Sequence, residues 1–107
     1  MNTRVTLAAI RLAIVKRQRA SFIYTGHVEV VADLYLLGNA RKTGAYVVVA
    51  WCAMPEWGWR ILRFAEIRDF KTIGRAALLR GDYDHRHDRY LADIDTESRQ
   101  PVRSAAG

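Results

Sequence analysis

The chain contains little of what membrane insertion, disulfide bonding or common catalytic chemistry requires. Its 107 residues include one cysteine, Cys52, which cannot form an intramolecular disulfide and is expected to be a small buried hydrophobe in a reducing compartment. The strongly apolar runs are far shorter than the roughly 18 residues that a membrane-spanning helix needs. No Ser/His/Asp or Cys/His arrangement is evident, and Gly38 and Gly44 are isolated turn glycines, not a phosphate-binding loop. We therefore predict a cytoplasmic protein that is not an enzyme and holds no cofactor.

Charge is distributed unevenly along the chain. Lysine and arginine number 17 against 11 acids, and residues 1–80 carry thirteen bases and five acids, a net charge of +8. Residues 81–107 carry four bases and six acids, a net charge of −2. This division predicts one basic folded domain over 1–80 and a polar, acidic, partly disordered or helical tail over 81–107. The basic domain favours polyanionic partners such as nucleic acid, nucleotides or an anionic membrane surface. Of these we expect nucleic acid or a nucleotide, and no membrane partner.

The periodicity of apolar residues changes from helical to strand-like after the first twenty residues. An amphipathic helix is predicted to begin at Thr3 or Thr6 and end at Lys16 or Arg17. The apolar stripe of this helix comprises Leu7, Ile10 and Ile14. Five strand-like runs follow, at 20–24, 28–36, 46–52, 59–64 and 70–73, with turns at 25–27, 38–44 and 54–58 and one helical turn at 65–69. The order predicts a mainly β (α+β) fold, in which the helix covers the open end of a five-stranded, strongly bent, partly open barrel.

The stretch 56–69, EWGWRILRFAEIRD, places two indoles and three arginines close together in sequence. Tryptophan and arginine together stack on flat rings and hold phosphates, so the stretch is typical of a binding surface. Strand alternation sends Arg60 and Leu62 to one face and Trp59, Ile61 and Arg63 to the other. The two arginines then cannot both face one ligand through strand geometry alone. The alternative is that the tryptophans close a small core while the arginines point to solvent.

Several stretches, taken in order between residues 7 and 84, resemble a WYL domain. They are the basic KRQR at 16–19 after the helix, SFIY at 21–24 followed by Gly26, LYLLG at 34–38, GAYVVVAW at 44–51 and WRILRFAEI at 59–67. The family's Trp-Tyr-Leu is Ala45-Tyr46-Val47 here, Leu34 replaces a usual proline, and the arginine before that proline has no counterpart in 29–33. The pair at 60 and 63 fits the family's Arg-x-Phe-Arg pattern, with leucine in place of phenylalanine.

The resemblance implies an Sm-like or SH3-like β module of the kind found in bacterial transcription regulators and defence-associated proteins. Such domains bind nucleic acid strands or nucleotides and control an attached module. With no helix-turn-helix predicted before the domain, the chain would act as a lone sensor or accessory subunit. Partners implied are single-stranded nucleic acid or a nucleotide ligand, while a protein partner and a homodimer stay open.

The candidate binding residues combine phosphate-binding cations with rings for base stacking, a contact of about 1–3 kcal/mol per base. They are Arg63, Arg60, Tyr24, Tyr46, Trp59, Arg19, Arg41 and Lys42. Arg63 leads because the family pattern points to it, Trp57 is a further stacking candidate, and Tyr46 has a core position as its alternative. Guanidinium groups suit this role because their fork matches phosphate oxygens and keeps its charge.

The segment 82–88, DYDHRHD, holds the ligand types for a divalent metal. Its spacing matches no established zinc or calcium pattern, so no metal site is predicted.

Three function classes stay open. A nucleic-acid or nucleotide-binding module leads, a protein-interaction or structural subunit is second, and a small hydrolase or nuclease using this segment is third. Binding through phosphates should weaken steeply with salt, whereas an apolar protein interface should not.

Overall fold

The computed structural model describes residues 3–75 and 91–97, which form a short helix and a mainly β structure. The elements are α1 (Leu7–Val15), β1 (Gln18–Tyr24), β2 (Val28–Ala40), β3 (Tyr46–Met54), β4 (Gly58–Arg63), a 3₁₀ turn (Phe64–Glu66), β5 (Ile67–Arg75) and β6 (Leu91–Glu97). The predicted helix is confirmed, and its N-cap Thr6 accepts a hydrogen bond on its hydroxyl from the Ala9 amide at 3.1 Å. Within the described ranges, no helix has the length and apolarity to cross a bilayer.

The six strands form one antiparallel sheet with β2 at its centre. The strand order is β4-β3-β2-β1-β5, and β6 pairs with β2 beside this path. β2 is thirteen residues long. It pairs with β3 over most of its length, with β1 over its first half and with β6 over Leu36–Ala40. In the described part of the chain, the outer strands β4 and β5 do not pair with each other, so the sheet is not closed by a β4–β5 ladder.

The prediction of five strands is corrected to six, because β6 lies in the segment interpreted as a polar tail. β6 presents one buried residue, Leu91, and the others are half-buried or exposed. It therefore lacks the apolar alternation by which a strand is recognised in sequence. β2 also extends four residues beyond its predicted end, so Gly38 lies inside a strand and the turn begins at Arg41. The predicted helical turn at 65–69 is instead the 3₁₀ turn followed directly by β5.

The sheet curves between β1 and β4. The Tyr24 hydroxyl, at the end of β1, accepts a hydrogen bond from the Arg63 amide of β4 at 2.9 Å. In a flat sheet these strands would lie about 14 Å apart, three strand spacings, which a tyrosine side chain cannot bridge. The turn Phe64–Glu66 also joins β4 directly to β5, which lies at the opposite end of the strand order. The sheet must therefore curl until the two ends of its strand order approach each other.

Apolar side chains form two clusters on opposite sides of the sheet. The helix-side core lies under α1, where Ile10 and Ile14 are fully buried, as the apolar stripe predicted. Its other buried members are Ala13, Ala20, Phe22, Val30, Ala32, Leu34, Leu37, Val48, Ala50, Cys52, Leu62 and Ile67. The second core, on the other side, comprises Leu36, Ala40, Val47, Val49 and Leu91, with Trp59 packed against it. β6 thus contributes Leu91 to a core that the first five strands leave open.

Candidate functional site

The turn between β3 and β4 positions an indole beside the sheet edge. The Met54–Pro55 peptide bond is cis, and the Trp57 amide donates to the Pro55 carbonyl at 2.7 Å. Gly58 then has φ +72, a left-handed conformation that glycine adopts without steric cost, and β4 begins there. This local geometry leaves Trp57 half-buried against the helix-side core.

Trp57 is the centre of an aromatic–arginine cluster formed by Tyr24, Trp57 and Arg60. The Arg60 guanidinium carbon lies 5.1 Å from the centroid of the indole, a cation–π distance. The Tyr24 ring meets the indole edge-to-face, with centroids 6.4 Å apart and an interplanar angle of 71°. Both rings are half-buried and Arg60 is exposed, so the cluster presents a positive charge and ring surface to solvent.

Arg60 and Arg63 lie on opposite sides of β4, as strand alternation predicts. Leu62 is buried in the helix-side core, and Arg60 shares its side. Arg63 is exposed and pairs with Val47, which belongs to the second core. The backbone amide of Arg63, and not its guanidinium, is the group that contacts Tyr24.

Other predicted aromatic residues lie outside this cluster. Trp59 is half-buried on the second-core side, where its ring meets Tyr35 edge-to-face at 4.7 Å. Tyr46 packs against the helix-side core and meets Phe64 at 6.2 Å. Both Trp59 and Tyr46 thus pack as residues that complete a core do. A core position is the alternative to ligand binding that the sequence left open for each of them.

The remaining predicted cations are also dispersed. Arg19 forms two hydrogen bonds with the buried carboxylate of Asp33, at 2.9 and 3.1 Å, and this contact raises the pKa of Arg19. Arg41 donates to the Leu91 carbonyl at 2.8 Å, and Lys42 is exposed in the turn after β2. The structure therefore brings Tyr24 and Arg60 together and places the other cations elsewhere.

Sequence reasoning gave Trp57 a lesser role than the structure does. Its signal in the sequence was its place in the EWGW turn, and the structure packs Trp57 against the helix-side core and Trp59 against the second core. Cys52 is buried, and burial raises its thiol pKa to about 11, which agrees with a structural role. No group of three or more metal-ligating side chains occurs in the ranges 3–75 and 91–97. The segment 82–88, considered above for metal binding, lies outside the described residues.

The chain matches no protein-family model, no curated protein and no solved structure.

Proposed function

We propose that the chain is a non-catalytic binding module for a single-stranded nucleic acid or a phosphorylated nucleotide, and that the aromatic–arginine cluster is its contact surface. The observation that carries this proposal is the exposed Arg60 guanidinium over the half-exposed Trp57 ring, beside Tyr24. The curled sheet is consistent with the Sm-like or SH3-like scaffold that the WYL resemblance implies, and the regulatory or defence role follows from that resemblance.

The chemistry of the cluster suits a ligand that combines a flat ring with a phosphate. In the described part of the chain, no carboxylate forms an ion pair with Arg60. The indole orients its guanidinium while leaving N–H groups for phosphate oxygens. Base rings stack on the indole–guanidinium pair and on the tyrosine.

The position of β4 in the sheet explains how Arg63 contributes from the opposite side. β4 is an outer strand of the ordered path, so one of its edges is not covered by another described strand. A polyanion that crosses this edge beside Tyr24, whose hydroxyl is bonded to the Arg63 amide, reaches the Arg60 guanidinium on one side and the Arg63 guanidinium on the other. Two arginines separated by strand alternation can thus serve one extended ligand.

Fluorescence anisotropy with labelled single-stranded DNA and RNA, and with nucleotides as competitors, tests the proposal. Arg60→Ala and Arg63→Ala should each lose a charge-assisted contact of about 1.5–3 kcal/mol, or roughly ten- to a hundredfold in affinity. Trp57→Ala should weaken binding with less change in the salt dependence, because stacking releases few counterions. Arg75→Ala is the matched control, since Arg75 is exposed and lies opposite Gln18, about 20 Å along β1 from Tyr24.

A protein-interaction module is the second candidate, favoured by two exposed apolar side chains of α1. Leu12 is 52% exposed and Val15 is 66% exposed. If both β4 arginine variants bind every polyanion as well as the parent, while Leu12→Asp abolishes association with a protein partner, this function replaces the first. Such an association should persist at high salt.

A further inference from the structure

β6 is attached to the sheet mainly through its backbone. It pairs with Leu36–Ala40, the half of β2 that β1 does not cover. Its residues 92–95 are exposed, and Ile94 retains 45% exposure. Leu91 in the second core is its one buried side chain. β6 therefore buries little apolar side-chain surface against the rest of the sheet.

The β2 edge is shaped to accept a closely approaching strand. A Cβ atom at Gly38 would lie 2.6 Å from the Asp93 carbonyl oxygen of β6, a distance that real Cβ atoms essentially never show. Gly38 lies in a strand and its φ is not positive, so the space it leaves, and not its conformational freedom, is what the fold requires. The absence of a side chain there opens the edge to a second backbone.

Two arginines contact β6 along this edge. Arg41 donates to the Leu91 carbonyl at 2.8 Å, at the end of the ladder where Leu91 pairs with Ala40. Near the middle of the ladder, where the register shifts between Leu37 and Gly38, Arg11 of α1 donates two hydrogen bonds to the Asp95 carboxylate, at 2.8 and 2.9 Å. The β2 edge thus holds β6 by its backbone, by the apolar side chain of Leu91 and by the carboxylate of Asp95, four residues further on.

We propose that the edge of β2 over Leu36–Ala40, with Arg41 at one end and Arg11 beside its middle, is a docking groove for an extended acidic peptide of a partner protein, and that β6 is its resident, displaceable occupant. The partner segment adds a strand to the sheet, as in other strand-addition complexes. It carries an apolar residue in the place of Leu91 and a carboxylate in the place of Asp95. A bulkier apolar side chain in the place of Ile94 would bury surface that β6 leaves exposed.

Charge complementarity favours this partner over a second copy of the chain. Both arginines that contact the groove are cationic, and β6 shows that an acidic strand fits against them. A second copy can offer only the same β6, which already binds from within the chain at a higher effective concentration. A partner peptide that buries more apolar surface than β6 would bind the groove more tightly than β6 does, which a second copy of the chain cannot do.

The test uses the full chain and a fluorescein-labelled peptide of the β6 sequence, LADIDTE. Asp95→Lys should loosen β6 by replacing its ion pair with repulsion, and the labelled peptide should then bind about fivefold more tightly than to the parent chain. Asp93→Lys is the matched control, because it makes the same charge change at an exposed β6 residue and should leave the affinity unchanged. A second peptide with isoleucine replaced by tryptophan should bind the parent chain more tightly than LADIDTE and should increase amide exchange of β6.

Two double variants test whether the peptide binds as an added strand and whether β6 still folds onto the sheet. Gly38→Ala combined with Asp95→Lys should abolish peptide binding, because the added Cβ blocks the approach of any strand. Arg11→Asp combined with Asp95→Arg restores the ion pair in reverse, so amide exchange of β6 should return to the parent level, whereas LADIDTE, whose own carboxylate would face the new carboxylate at position 11, should bind more weakly than to the parent chain; a misfolded chain would not recover the protection of β6. Equal peptide binding by Asp95→Lys and Asp93→Lys would overturn the proposal. A concentration-dependent doubling of mass in Asp95→Lys would also overturn it, by identifying a second copy as the occupant.

Discussion

The ion pair between Arg19 and Asp33 provides the sharpest test of how the sheet is stabilised. The two residues are direct partners across β1 and β2, and both guanidinium–carboxylate hydrogen bonds are short, at 2.9 and 3.1 Å. The Asp33 side chain is 5% exposed and the Arg19 side chain is 33% exposed. Arg19 is one of the candidate binding residues, and in the folded domain its guanidinium pairs with a carboxylate of the same domain.

Arg19→Ala would leave the carboxylate of Asp33 enclosed without its partner. Removing one member of a fully buried pair costs about 3–5 kcal/mol. Because a third of the arginine side chain reaches solvent, we expect a smaller loss in the free energy of unfolding, about 2–3 kcal/mol. In a domain of this size that corresponds to a fall in Tm of about 10–20 °C.

Thermal and urea denaturation followed by circular dichroism measure this change. The exposed residue Arg75 supplies the control, since Arg75→Ala should shift the free energy of unfolding by less than about 0.5 kcal/mol. A double variant, Arg19→Met with Asp33→Leu, should recover most of the lost stability because apolar side chains of similar volume can replace a buried pair. A fall of less than about 3 °C for Arg19→Ala, or no recovery in the double variant, would refute the reasoning.

The other predictions concern β6, the cysteine and the curl of the sheet. Arg11 lowers the pKa of Asp95 to about 2, so the stability from this pair should be present above the ordinary carboxyl pKa and lost as pH falls towards 2. Asp95→Asn should flatten that part of the pH dependence of urea midpoints, and an unchanged profile would contradict the assignment. Because burial raises the pKa of Cys52 to about 11, its thiol should react with a disulfide reagent at pH 8 only after unfolding, and rapid native labelling would show that the site is open. Tyr24→Phe removes the acceptor of the Arg63 amide and should lower the free energy of unfolding by about 1 kcal/mol in urea titrations, whereas no loss would show that this hydrogen bond does not stabilise the curl.

Local patterns in the sequence accounted for most elements up to β5. The helix was found because its apolar residues recur at the helical period behind a capping threonine, and Ile10 and Ile14 are buried as that period requires. Strand alternation assigned Arg60 and Arg63 to opposite sides of β4. Leu62, which alternation places on the same side as Arg60, is buried in the helix-side core as this assignment requires. These features depend on residues a few positions apart, which is the range over which periodicity carries information.

Contacts between distant residues escaped the sequence reasoning. β6 pairs with a strand more than fifty residues earlier, and its polar composition gave no strand signal. Gly38 was interpreted as a turn glycine, because nothing nearby in sequence shows that another backbone approaches it. Asp33 was not recognised as the partner of Arg19, since neither residue type nor spacing reveals a cross-strand pair before the register is known.

By itself, the sequence determined the mainly β class, the amphipathic helix, the basic charge of the domain and the alternation of β4, since each follows from local spacing or composition. Tertiary structure alone decided which arginines pair within the domain and which stay exposed. Folding joins Arg19 to Asp33, Arg11 to Asp95 and Arg41 to a β6 carbonyl, while Arg60 lies exposed over an indole. The physical reason is that the partner of a long charged side chain is set by the path of the whole chain, which brings together groups that are far apart in sequence.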